Sequence, residues 1–148
     1  MSTARAAFIA EVLSYVGTPW HHQGRLPGVG LDCPGPLICA ARALGSVPPT
    51  FDVTGYARVP DGQALQGFCE AHMQRIAYAD RQPGDALLVR FQHGHPQHLG
   101  VLVEMHDDRQ YWVEAEAFRH KRVIKTRLVL TERHTQLVGA YRVPGLDA

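Results

Sequence analysis

The chain changes its hydrophobic periodicity once, at the turn Gln82-Pro83-Gly84-Asp85. Before that turn, apolar residues recur at helical spacing. After it they form short runs rich in Val, Leu and aromatics, with the alternation of strands. Helices followed by strands predict an α+β fold, with N-terminal helices packed on an antiparallel β-sheet.

Residues 4–16 read as an amphipathic helix through Phe8, Ile9, Val12, Leu13 and Val16, ended by Gly17 and Pro19. Residues 17–30 are rich in Gly, Pro and His and read as an ordered loop. A second helix is expected from about Cys33, with Pro34 in the first helical position, where its missing N–H costs nothing. Leu37, Ile38, Ala40, Ala41 and Leu44 supply its buried face, and Gly45 is a natural stop. Residues 47–62 form a Pro-rich crossing loop, and 63–73 a third helix. Strands are expected at 86–91, 98–105, 110–115, 122–130 and 136–143, arranged as a meander. Residues 93–97 and 107–109 are hairpin-type connections.

Composition narrows the function classes. The 148 residues, 45% hydrophobic and 20% charged, suit one domain spanning 1–148. A net charge of +1 gives no electrostatic footprint for nucleic acid or an anionic membrane. The nine histidines make the charge strongly positive at mildly acidic pH. Three cysteines, Cys33, Cys39 and Cys69, form no CxxC pair, so neither a disulfide scaffold nor a structural zinc site is expected. No run of about 18 apolar residues predicts a membrane span. The first 16 residues lack the basic start and continuous apolar stretch of a signal peptide, so synthesis in the cytoplasm is expected.

Two short segments carry chemistry: Leu31-Asp32-Cys33-Pro34-Gly35 and Gln97-His98-Leu99-Gly100-Val101. A free thiol has a pKa near ~8.5 and only its thiolate attacks, so a nucleophilic cysteine needs a partner such as imidazole. At a helix start, unpaired N–H groups and the helix dipole favour an anion and lower a thiol pKa. The same groups can stabilise an oxyanion. His98 opens a strand that fixes its direction. A third polar group normally holds the imidazole in one tautomer. Alternation puts Trp112, Glu114 and Glu116 on one face of the next strand, with Glu114 the candidate and Glu116 the runner-up. Cys33 and His98 brought together imply a cysteine hydrolase or acyltransferase. Cys39 and Cys69 fall in apolar segments and read as structural.

Gly17-Thr18-Pro19-Trp20-His21-His22-Gln23-Gly24-Arg25, followed by Gly28-Val29-Gly30-Leu31-Asp32-Cys33, resembles the phage-tail branch of the NlpC-type cell-wall peptidases. So do Gly55-Tyr56-Ala57-Arg58-Val59-Pro60, Pro83-Gly84-Asp85 and His98-Leu99-Gly100-Val101, in the same order along nearly the whole chain. The resemblance implies a compact papain-like fold and cleavage of amide bonds in peptidoglycan stem peptides. Proteins of this kind occur in tailed phages, prophages and gene transfer agents, which implies action as a tail component at the host wall, with tail-tip proteins as further partners. By position, Cys33 is the nucleophile, His98 the base and Glu114 the orienting group. Trp20, His22, Asp32 and Tyr56 are the substrate-binding candidates. No cofactor or metal is implied, although His93, His95 and His98 are spaced so that a metal site can be drawn.

Two positions depart from the family pattern. Pro34-Gly35 stands where Ser-Gly, or an apolar residue and Gly, usually follows the cysteine, so one backbone N–H is missing. Val113-Glu114-Ala115 stands where the third position is usually His, Asn or Gln. A carboxylate there orients an imidazole and favours its ion pair with the thiolate. These departures keep a second reading open: a catalytically degenerate tail-tip protein that binds cell wall or neighbouring subunits. A Cys–His acyltransferase or amidase on another substrate is the third.

Overall fold

The computed structural model describes residues 1–58, 62–92 and 97–147. Helix α1 runs Thr3–Ser14. The Ser2 hydroxyl accepts from the Arg5 N–H at 3.1 Å, satisfying one of the donors a helix start leaves unpaired. Phe8 and Val12 are fully buried, whereas Leu13 and Val16 are 37% and 45% exposed, so the apolar stripe is narrower than the periodicity suggests. A two-stranded hairpin, β1 Arg25–Leu26 and β2 Gly30–Leu31, occupies part of the segment expected as loop. Helix α2 runs Gly35–Ala43 and α3 runs Gly62–His72.

The strands follow the expected positions closely: β4 Ala86–Phe91, β5 His98–His106, β6 Arg109–Glu116, β7 Arg122–Arg127 and β8 Thr135–Arg142. A further strand, β3 Gln74–Ile76, and a 3-10 turn at Tyr78–Asp80 were not legible. The sheet is not a plain meander. Its order is β3-β8-β4-β5-β6-β7, all antiparallel, so the last strand returns to lie between β3 and β4. That return covers the edge β4 would otherwise leave open.

One core lies between the helices and one sheet face, joining Phe8, Val12, Ile38 and Phe68 to Leu88, Leu99, Val101 and Val113. A smaller cluster on the other face contains Leu87, Val89, Leu102 and Trp112. Fully burying each of these large side chains contributes about 1.5–3 kcal/mol. The two ends of the chain meet at Arg5, whose inaccessible guanidinium donates to Pro83 O at 2.8 Å, Asp85 at 3.0 Å and Asp147 at 2.6 Å. A buried charge is tolerated because its donors are matched this way. Gly84 fits between them because a Cβ there would lie 2.9 Å from Arg5 Nη1.

Candidate active site

Cys33 sits in the turn ahead of α2, not in its first turn. Pro34 is the cap residue, and the Gly35 N–H donates to Asp32 O at 2.9 Å. Neither Pro34 nor Pro36 has an N–H, so this helix start offers an anion few backbone donors. The turn is held from below. Asp32 is 3% exposed and accepts from the Gln23 N–H at 2.8 Å, from Arg25 at 2.7 Å and from the Tyr56 hydroxyl. Arg25 in turn donates to Tyr56 at 2.6 Å and to Asp52 at 2.9 Å. Asp32, expected among the substrate-binding residues, thus has its carboxylate engaged by the chain's own donors.

The thiol environment differs from expectation. Burial pushes the Cys33 thiol up and the neighbouring Asp32 charge adds to this, while the Leu99 N–H and the Arg25 charge pull it back. Desolvation outweighs the helix start, so the half-buried thiol is held above the ordinary thiol range. The Leu99 amide hydrogen-bonds the sulfur, which places Cys33 near the start of β5.

His98 and Glu114 come together from β5 and β6. His98 Nε2 lies 3.1 Å from Glu114 Oε1, both side chains being buried. The other carboxylate oxygen, Oε2, accepts from the Trp112 indole N–H at 2.8 Å. The imidazole lies between Phe91, with ring centroids 5.6 Å apart, and Trp112, edge-on at 5.7 Å. Glu116, the runner-up, is occupied elsewhere. It accepts from the backbone N–H groups of Phe118 at 3.0 Å and Arg119 at 2.8 Å, and from those of His120 and Lys121. Burial works to raise the Glu116 carboxyl, but these amides outweigh it and hold it at about 2.

Cys33, His98 and Glu114 line one pocket of about 150 Å³, together with Trp20, Asp32 and Tyr56. Arg58 lies over the Trp20 ring at 5.3 Å, and the exposed Phe118 stands at the rim. His22 is not among the lining residues; its ring meets Tyr56 edge-on at 5.7 Å, so it supports a wall residue. Sequence reasoning missed Trp112 as the partner of Glu114, Glu116 as the anchor of the rim loop, and the buried Gln97 in the pocket wall. Alternation had put Trp112 and Glu114 on one face, and that was the available signal. Cys39 and Cys69 are both buried. His93 and His95 lie outside the described residues. Among the described residues, no group of three His, Cys, Asp or Glu side chains is placed to hold a metal ion, and no helix is long and apolar enough to cross a membrane.

No family model matches the chain, and no curated protein matches it in sequence. Solved structures do. An NLP/P60-family protein from Staphylococcus aureus, similar to lipoprotein, aligns with a TM-score of 0.56 and 21% identity over 95% of this chain and 41% of that one. The chain therefore spans less than half of that protein. RipD from Mycobacterium tuberculosis aligns with a TM-score of 0.55 and 17% identity over 97% of this chain and 99% of that one. RipD is described as a non-catalytic NlpC/p60 domain protein adapted to peptidoglycan binding. The architecture of this chain is accordingly the NlpC/P60 fold.

Proposed function

We propose that the chain hydrolyses amide bonds in peptidoglycan stem peptides, with Cys33 as nucleophile and His98 as base, as a tail-associated component of a phage or prophage at the host wall. One observation carries the reading: His98 Nε2 is bonded to Glu114 at 3.1 Å in the pocket that Cys33 also lines. With Nε2 held by Glu114, Nδ1 is the nitrogen this reading gives to the thiol. His98 Nδ1 takes the Cys33 proton, and the thiolate attacks the carbonyl carbon of the stem peptide. The C–N bond breaks as the imidazolium returns the proton to the leaving amine, giving a thioester that water hydrolyses. With Pro34 lacking an N–H, the Cys33 amide is the backbone donor left for the oxyanion. Glu114 stabilises the imidazolium, which offsets the burial that pushes the Cys33 thiol up.

The test is digestion of purified sacculi followed by mass analysis of the stem-peptide ends. New amino and carboxyl termini within the stem support the reading. The raised thiol favours one alternative, wall binding without cleavage. That alternative predicts protein that pellets with sacculi and releases nothing. The tail assignment is tested separately, by whether the protein co-purifies with intact virions.

A further inference from the structure

We propose that Trp112 is a positioning residue, which acts through Glu114 to keep the proton of the His98–Glu114 pair on His98 Nε2. The inference rests on the peptidase reading for its use, but its evidence is the geometry of the three side chains. The Trp112 indole is 1% exposed and its N–H donates to Glu114 Oε2 at 2.8 Å, while Oε1 lies 3.1 Å from His98 Nε2.

An indole N–H can only donate, and an ionised carboxylate can only accept. With Glu114 ionised, His98 donates its Nε2–H to Oε1 and Nδ1 is bare. If Glu114 takes up a further proton from solvent, it donates that proton to Nε2 instead; the imidazole then carries its own proton on Nδ1, and that nitrogen is no longer a base. The donor at Oε2 favours the carboxylate form of Glu114, and therefore the Nε2–H imidazole. A hydrogen bond to a charged group in a buried site is the stronger kind. The Trp112 ring also meets the imidazole edge-on, so one side chain limits both its tautomer and its tilt.

The neighbouring strand makes room for this ring. A Cβ on Gly100 would lie 2.2 Å from Trp112 Cε3, too close for any side chain. Gly100 therefore allows the indole to lie flat against β5 and reach Glu114.

The test reads the tautomer without substrate. The ring nitrogens of His98 are recorded by long-range proton–nitrogen correlation at neutral pH, with His98→Gln identifying the signals. The native protein is expected to show a protonated Nε2 and a bare Nδ1. Trp112→Phe should shift the tautomer ratio by roughly ten- to a hundredfold towards Nδ1–H, the worth of one charge-assisted hydrogen bond. Should Trp112→Phe fail to fold, a benzothienyl side chain at position 112 keeps the ring shape and replaces only the N–H with sulfur. An unchanged Nε2–H pattern in either folded variant overturns the proposal, as does an Nδ1–H imidazole in the native protein. Failure of sacculus digestion would bear on the peptidase reading and leave this result standing.

Discussion

His98 Nε2 and Glu114 Oε1 lie 3.1 Å apart inside the pocket wall, and Trp112 takes up the other oxygen of the same carboxylate. Glu114 thus serves two donors with two oxygens. Glutamine offers one acceptor oxygen, so Glu114→Gln cannot satisfy both. Strand alternation alone suggests that this substitution keeps the ring orientation; the Trp112 bond changes that expectation. Glu114→Gln should therefore lower the rate of stem-peptide cleavage at neutral pH by about tenfold. Glu116→Gln is the control and should lower it much less.

His98→Ala should silence Cys33 at neutral pH. Burial and the Asp32 charge push this thiol up, so without an imidazole partner it stays protonated and its alkylation rises only with pH. Iodoacetamide labelling at pH 7 should fall at least about tenfold and recover only well above the ordinary thiol range. Equal labelling of the variant and the native chain at pH 7 would show that His98 is not the base. Cys69, pushed up to about 12, gives little background.

Much of this arrangement was legible in the sequence, for local reasons. Alternation within 110–115 put Trp112 and Glu114 on one face, and the short connection to 98–105 made the two strands neighbours. What was not legible depended on distant partners. Gln74–Ile76 is three residues long with no alternation, and it is a strand because β8 pairs with it. The place of β8 between β3 and β4 is likewise decided by an edge that needs covering. The thiol was misjudged because a helix start is visible in sequence whereas burial is not, and burial is the larger effect at Cys33.

Glu116 predicts an acid-side loss of stability. Its folded carboxyl is held at about 2, below the ordinary 4.5, so its contribution is complete above about pH 4.5 and is lost as pH falls towards 2. The rim loop is open to water, so the contribution is on the order of 1 kcal/mol. Glu116→Gln should lower the melting temperature at pH 7 by roughly 2–4 °C. The two forms should converge near pH 2. A gap that persists there would mean the carboxylate charge is not what holds residues 118–121.

Gly100→Ala should destabilise the chain by about 1–3 kcal/mol, because its Cβ would meet the Trp112 ring at 2.2 Å in a packed cluster. Urea unfolding measures it. A neutral result would mean the indole has room to move away.

The central claim is tested most directly by digesting purified sacculi with the native protein and with Cys33→Ala, matched for their urea unfolding curves. The account predicts stem-peptide fragments from the native protein and none from the variant, which should still fold. Equal release from both would contradict it, because the nucleophile would then lie elsewhere.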